Sequence, residues 1–460
     1  MDDRRAKLER LREQGIDPFP HEFDGVVPIA DVHAAHDELE PGEETDAAYR
    51  IAGRMTARRG HGGAAFIDVV DRSGKLQVQA KRDVLGDESF DLLTSLDIGD
   101  LIGVDGTAFK SRRGELTLLV RDWKLLAKSL RGVPKEYYGI QDTETRYRHR
   151  EVDLLANEET RELFILRSKV LRAIRRWLDE RRFLEVETPI LQPLYGGALA
   201  RPFTTHYNAL DRDFFLRIAD ELYLKRLIVG GLERVYEIGK DFRNEGLSPK
   251  HNPEFTMLEW YEAYADYEDI AGRLEELVSY VAADVGYDGP IDFSAPWKRI
   301  TLRDAIKEKT GLDIASDELP GEGTWAKRVD DLLSKRVEPD LQNPTFILDY
   351  PKELSPFAKD HRSEPGLVER FEAFAGGMEF ANAFTELNDP DEQRARFEQQ
   401  RADQAAGDQE TQPYDEDYLS ALEHGMPPTG GIGIGIDRLV MLLSGRQSIR
   451  EVVLFPALRN

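Results

Sequence analysis

The sequence predicts an α+β protein in which a small N-terminal β-barrel precedes a larger unit built on a mainly antiparallel sheet flanked by helices. Length is the first reason: 460 residues exceed what one hydrophobic core holds, and at about 150 residues per domain two or three units are expected. The second is a series of short β-type runs between Tyr49 and Leu126. The third is the irregular alternation of helical and strand patterns from Leu163 to Asn460, which favours α+β over a βαβ repeat.

Residues 1–15 read as a short charged helix closed by the turn Gly15-Ile16-Asp17-Pro18. The runs RIAGRMTARR, AAFIDVVD, KLQVQAK, LIGVDGTAFK and ELTLLVRDWKLL follow, separated by Gly-containing turns. About five strands in about 80 residues suggest a barrel of the OB type, with a plain antiparallel sandwich as the alternative. Lys128 to Asp142 carries Gly132, Pro134 and Gly139 without clear periodicity, so a boundary is expected there. The expected domains are residues 1–130 (helix and barrel), 131–148 (connector) and 149–460. In the last, Leu163 to Arg182 has helical spacing, and FLEVETPIL reads as a strand with Pro189 at its edge or end. The polar run DEQRARFEQQRADQAAGDQETQ reads as a solvated helix.

The composition, 40% apolar and 32% charged, is that of a folded globular protein. No apolar run approaches the roughly 20 residues that cross a bilayer, and the charged start is no signal peptide, so a cytoplasmic protein without membrane contact is expected. The chain has no cysteine, which excludes disulfides, thiolate zinc sites and cysteine nucleophiles. A metal would need oxygen or imidazole ligands, and magnesium leads. A net charge of −25 argues against indiscriminate nucleic-acid binding, DNA included, so any RNA contact is expected to be local.

The segment VYEIGKDFRNEGLSPKHNPEFTMLEWYEAY carries the strongest signal. In extended strands Arg243 shares a face with Glu245, and Glu259 with Tyr261, so two adjacent strands would present both pairs to one site. The loop between them can return His251 and Phe255 over whatever Arg243 binds, a guanidinium suiting phosphate and an aromatic ring a base plane. PPTGGIGIGIDRLVMLL puts Gly431, Gly433 and Gly435 on one face of a strand that runs into a helix with Arg438, a row that lets a ligand lie against backbone.

In RFEAFAGGMEFANAFTELND, a two-residue turn at Gly376-Gly377 would set Phe374 opposite Glu379, with Glu372 diagonal on the same face. Crowded carboxylates call for a cation between them. Asn382, Phe384 and Glu386 also share a face, yet simple parity puts it opposite Glu379. A β-bulge between 379 and 382 is therefore predicted if all four line one pocket. In such a pocket Glu259 and Glu386 could accept an ammonium group, since an unpaired buried charge costs several kcal/mol.

FRNEG followed by HNPEFT resembles the second signature motif of class II aminoacyl-tRNA synthetases, in the form found in the bacterial-type lysine enzymes. The resemblance covers nearly the whole chain, with motif 1 near 164–191, motif 2 near 235–263 and motif 3 near 428–443. It implies a homodimeric, ATP-dependent enzyme that activates L-lysine and charges lysine tRNA. Arg243 would clamp the α-phosphate and the substrate carboxylate, Glu245 would contact the adenine amino group, and His251 would reach the outer phosphates. Phe255 and Arg438 would enclose adenine, with Asn252 and Gly435 also on the ATP side and Arg438 neutralising the γ-phosphate. Glu372 and Glu379 would hold magnesium with ATP. Glu259, Glu386 and Tyr261 would take the lysine ε-ammonium, Phe384 the aliphatic stem, Glu221 and Gly197 the α-amino group, and Asn382 would assist Arg243. Arg58, Phe66, Gln77 and Glu115 of the barrel match anticodon-reading positions, with Arg54 and Arg59 close by. Glu151, Tyr195 and Arg182 depart from the family pattern, the last standing where glycine is usual.

Two rivals stand beside this reading. A paralogue that ligates a lysine-like amino acid onto an elongation factor lacks the barrel, so residues 49–126 argue against it. A catalytically inactive synthetase-like protein that binds RNA or senses an amino acid is disfavoured by the complete Arg and Glu pairs.

Overall fold

A computed structural model describes residues 2–132, 142–246, 248–405 and 412–458. Half of the expected connector, residues 133–141 with Pro134 and Gly139, lies outside these residues, as does the polar run from 406 to 411. The chain divides into two compact units, residues 1–141 and 142–460.

The first unit opens on the expected short helix, Asp2–Glu13. Its five strands are β1 (Glu44–His61), β2 (Ala64–Val70), β3 (Lys75–Lys81), β4 (Leu101–Lys110) and β5 (Leu116–Ala127), closed in the order β1-β2-β3-β5-β4. Closure follows from pattern. Ile67, Val69, Val78, Val104 and Leu118 alternate with outward residues and fill the interior, and a parallel β3–β5 pairing completes the ring, leaving no sheet edge. A register irregularity between Met55 and Ala57 shifts which β1 residues face inward beyond it.

In the second unit, chain order runs β6 (Leu184–Glu185), β7 (Leu191–Gln192), β8 (Thr204–Tyr207), β9 (Arg212–Leu216), β10 (Arg234–Phe242), β11 (Glu254–Ala263), β12 (Lys298–Thr301), β13 (Thr345–Pro351), β14 (Leu367–Ala375), β15 (Met378–Thr385) and β16 (Thr429–Gly435). Eight of these form one sheet, β12-β13-β14-β15-β16-β11-β10-β6, antiparallel except at its two outermost pairings. One face is apolar. Trp260, Phe346, Phe371 and Ile434 pack there against Trp177 of helix Glu158–Glu180, Leu274 and Leu277 of helix Tyr267–Val285, and Leu439 of helix Ile436–Ser444. Because side chains alternate along a strand, Glu259, Tyr261 and Glu372 are left to the other face.

Two local expectations are revised. FLEVETPIL is not one strand: β6 joins the large sheet and β7 a separate three-stranded one with β9 and β8, Pro189 falling between them. Residues 143–148 form a helix in the second unit, capped by the Asp142 carboxylate, which accepts from the Thr145 amide at 2.7 Å. Arg182 takes φ +63°, the left-handed conformation that glycine adopts at no steric cost. Of the other departures, Glu151 lies exposed in helix Arg150–Ala156, and Tyr195 packs edge-on against Phe215 at 5.0 Å.

The β14–β15 hairpin turns at Gly376 and Gly377, both left-handed at φ +57° and +69°. Phe374 pairs with Glu379 and Ala373 with Ala381, so Phe380 is the extra residue of a bulge inside the predicted interval. That one residue restores parity: Glu372, which pairs with Asn382, shares a face with Glu379. A β-branched residue at 377 cannot hold this φ without strain of about 1–3 kcal/mol. Gly377→Val is expected to lower the urea midpoint of the catalytic unit with an unchanged slope, and an unaltered midpoint would show that the turn is free to rearrange.

Candidate active site

Strand register builds the site. Asn382 pairs with Gly433, which pairs in turn with Glu259; one step along, Phe384 pairs with Gly431 and Gly431 with Tyr261. Cross-strand partners share a face, so two rows of side chains flank a bare central strand. A Cβ at Gly431 would overlap Glu386 Oε1 and the Tyr261 ring, whereas one at Gly433 would come no nearer than 3.6 Å to Met257 Sδ. Gly431 thus makes room for an acid, and Gly433 and Gly435 for a ligand.

One cavity of about 390 Å³ lies over this floor. It is lined by Gly197, Glu221, Arg243, Glu245, His251, Asn252, Phe255, Glu259, Tyr261, Glu379, Asn382, Phe384, Glu386, Gly435 and Arg438. The sequence-predicted residues of the catalytic unit therefore converge, with Glu372 outside the lining.

At one end the cavity is acidic. Glu221, Glu259 and Glu386 are all buried. Glu259 accepts a hydrogen bond from the Tyr261 hydroxyl at 3.0 Å, and burial, with Asp241 and Glu221 adding repulsion, pushes its carboxyl up to about 8. Glu386 pairs with Lys225 of helix Glu221–Val229; apart from that ion pair its buried oxygens receive no hydrogen bond. Lys225 also pairs with Glu221, one turn earlier on the same helix. Gly197 adopts φ +88°, and a Cβ there would press on Glu221 at 3.0 Å. Gln412 fixes this loop by accepting from the Gly197 amide at 3.1 Å and donating to the Ala198 carbonyl.

The other end is basic and aromatic. The expectation that Arg243 and Glu245 project from one strand is not met. β10 stops at Phe242, and the chain turns there, the Glu245 amide donating to the Arg243 carbonyl at 2.9 Å. Arg243 still reaches the cavity, its guanidinium 5.1 Å from the Phe255 ring centre and its Nε on the Ile218 carbonyl at 3.3 Å. Glu245 is exposed at the rim. Arg438 donates to Glu379 at 2.9 Å and to His251 Nε2 at 3.2 Å. Burial and then Arg438 hold the imidazole below its ordinary pKa, which keeps it neutral and able to accept. Asn252 spends its amide on the loop, donating to the Glu254 carbonyl at 2.5 Å and accepting from the Ala457 amide at 3.3 Å.

The two hairpin acids are not unpaired, contrary to expectation. Glu372 accepts from Arg370 at 2.6 Å and Tyr350 at 2.8 Å, and burial raises its carboxyl to about 7. No group of three or more acidic or histidine ligands exists among the described residues. Two carboxylates on one hairpin fit magnesium only in its usual phosphate-enzyme form, shared with substrate phosphate oxygens rather than caged by protein.

On the barrel, cross-strand pairing aligns Phe66 with Arg59, and Asp68 with Gln77. Phe66 is half-buried and outside the interior cluster, Arg59 pairs with Asp68 at 3.0 Å, and Gln77 donates to Glu115 at 2.7 Å. Arg58 does not join them. It pairs with inward-facing Ile67, and its guanidinium donates to the carbonyls of Thr94 and Leu96 past helix Asp87–Ser95. Arg54 likewise donates to the Gly99 carbonyl, leaving Arg59 beside Phe66.

Sequence reading missed Lys225, Arg370 and Gln412. The i,i+4 spacing of Glu221 and Lys225 was the available signal for the first, and the i,i+2 spacing of Arg370 and Glu372 for the second.

Comparison with known families agrees with this geometry. A family described as tRNA synthetases class II (D, K and N) matches residues 142–459, and one described as OB-fold nucleic acid binding domain matches 49–126. The chain belongs to the class II tRNA synthetases of the D, K and N group. Lysine--tRNA ligases of Carboxydothermus hydrogenoformans and Moorella thermoacetica are 50% and 49% identical to it, each over 99% of this chain and 97% of its own length. That of Staphylococcus aureus is 48% identical over 99% of this chain and 98% of its own. Within the group, the chain is thus a member of the lysine--tRNA ligase family.

A carboxyl raised to about 8 in the native state ionises near 4.5 when unfolded. Stability is consequently lost as pH rises from the unfolded value through the native one. Glu259→Gln is expected to raise the thermal midpoint at pH 8 and to leave it nearly unchanged at pH 4.5. Equal effects at both values, read by differential scanning calorimetry, would contradict a strained carboxyl.

Proposed function

We propose that the chain activates L-lysine with ATP, releases pyrophosphate, and transfers the lysyl group from the adenylate to the 3′ end of lysine tRNA. The observation that carries this reading is the polarity of one cavity: three buried carboxylates at one end, Arg243, Phe255 and Arg438 at the other. A substrate with two ammonium groups suits the first end, and a nucleotide triphosphate suits the second.

In the first step a carboxylate oxygen of lysine attacks the α-phosphorus in line, forming the mixed anhydride as the bond to pyrophosphate breaks. The nucleophile is already ionised and needs no base. Arg243, at the basic end, holds the carboxylate and α-phosphate together, with Asn382 assisting; Phe255 and Arg438 enclose adenine, and neutral His251 faces the outer phosphates. Glu245 at the rim meets the adenine amino group, and Asn252 keeps the loop in shape. Glu259, Tyr261 and Glu386 take the ε-ammonium, Phe384 the stem, and Glu221 with the Gly197 backbone the α-amino group. Magnesium, held by Glu372 and Glu379 with phosphate oxygens, would supply charge neutralisation at the triphosphate when bound. In the second step the terminal ribose hydroxyl attacks the adenylate carbonyl and AMP leaves.

The barrel face with Phe66, Arg59, Gln77 and Glu115 is assigned to the anticodon, where aromatic stacking contributes about 1–3 kcal/mol per base. With a net charge of −25, tRNA affinity rests on such local contacts. Exposed Leu184, Ile190 and Leu191 in the motif 1 stretch support a homodimer. No helix among the described residues is long and apolar enough to cross a membrane, and a cytoplasmic setting fits the substrates.

Pyrophosphate exchange across the twenty amino acids tests the reading, with exchange expected for lysine alone; equal exchange with another amino acid would reject it. Arg243→Ala is expected to reduce lysine-dependent exchange by at least about 100-fold without loss of fold by circular dichroism, and near-normal exchange would remove Arg243 from its role. Phe66→Ala should lower kcat/KM for tRNA charging by roughly 5- to 100-fold. A change under twofold would take Phe66 off the anticodon face.

A further inference from the structure

Lys225 has no part in the reaction just described, yet its ammonium is fully buried against two of the acids that line the acidic end of the cavity. It contacts Glu221 and Glu386, the acids assigned to opposite ends of the substrate. Aromatic rings enclose it as well, with Phe357 at 5.1 Å, Phe384 at 5.2 Å and Tyr261 at 5.9 Å.

We infer that Lys225 is a positioning residue that fixes the charge of the amino-acid pocket, so that the two ammonium groups of an incoming substrate, one charge short of the three carboxylates, are matched with its help. This rests on the lysine reading above. With Lys225 in place, its ammonium and the two of L-lysine answer Glu221, Glu259 and Glu386 one for one; the substrate carboxylate is left to Arg243. Without it, three buried acids face only the two ammonium groups of bound lysine, and one acid must keep a proton in the complex.

The surroundings point the same way. Burial pushes Glu386 well above the ordinary carboxyl range, Glu221 and Glu259 add to the rise, and Lys225 opposes it. Glu221 and Glu386 hold the Lys225 ammonium above its ordinary value against burial. The other groups facing the cluster are Tyr261 of β11, Tyr418 of helix Glu416–Glu423, which lies against Lys225, Arg370 of β14, which acts on Glu221, and Asp241 of β10 with Asp220, both of which act on Glu259. Neither tyrosine can replace an ammonium, since burial raises both hydroxyls and leaves them neutral.

The test is lysine-dependent pyrophosphate exchange by the full chain between pH 6.5 and 8.5. In Lys225→Met, Glu386 and Glu221 should ionise at higher pH, and since lysine binds their charged forms its KM should be raised most at low pH. The expected rise is about tenfold or more at pH 6.5, narrowing toward pH 8.5, with kcat and the KM for ATP changed far less. Lys225→Arg, which keeps the charge, should restore the wild-type pH profile. A lysine KM equal to wild type, or raised by the same factor at every pH, would overturn the inference, and so would an arginine variant with the methionine profile. Should Lys225→Met not fold, the arginine variant decides alone: a wild-type profile supports the charge role, and a shifted profile or failure to saturate with lysine refutes it. Absence of lysine-dependent exchange in the wild-type chain would instead reject the lysine reading itself.

Discussion

Negative charge buried in the floor of a sheet dominates the catalytic unit. Each carboxylate taken from water costs several kcal/mol unless a cation or hydrogen-bond donors meet it. The surrounding elements are placed to meet that demand. Beside the cavity, on the same face of the sheet, Arg217 is itself buried and binds Asp220 at 2.9 Å and Glu237 at 2.6 Å, with Asp241 at 3.3 Å. Glu237 in turn pairs across strands with Glu259. Acids lining the cavity and acids beside it on the same face are thus served by separate cations, Lys225 and Arg217, and the cavity keeps a net appetite for positive charge.

The helices on the far face supply the rigidity this needs. Trp177 and Trp260 pack at 6.2 Å, and Arg167 of helix Glu158–Glu180 pairs with Asp437 at 2.6 Å, whose other oxygen accepts from the Thr256 amide at 2.8 Å. Asp437 adjoins Arg438, so a contact on the apolar face orients the start of the helix that carries this arginine to the cavity. Packing, register and chemistry meet within a few residues of Gly435.

Period-two patterns made much of this visible in the sequence. The barrel strands, the Glu259 and Tyr261 pair, the Gly376-Gly377 turn and the bulge that brings Glu379 to the face of Asn382 all follow from counting residues along strands. The failures share one cause, a local break that counting does not register. β10 ends one residue before Arg243, so its predicted alignment with Glu245 is lost. The irregularity after Met55 likewise sets Arg59 across from Phe66 and Arg58 across from Ile67, a register the sequence pattern does not show. Lys225 was invisible for another reason. A glutamate and a lysine four apart on a helix usually form a solvated pair worth a few tenths of a kcal/mol, and only the tertiary approach of Glu386 makes this one buried.

Gly431 has a consequence for selectivity. Because a side chain there would collide with Glu386, the acid sits directly against the backbone of a central strand, paired on both sides. Such a strand neither yields nor advances, so the distance from Arg243 to the far acid behaves as a fixed ruler. On the lysine reading, a homologue one methylene shorter would strand its terminal charge short of its partner in a dry recess, and polar mismatches of this kind discriminate far more strongly than the lost methylene itself.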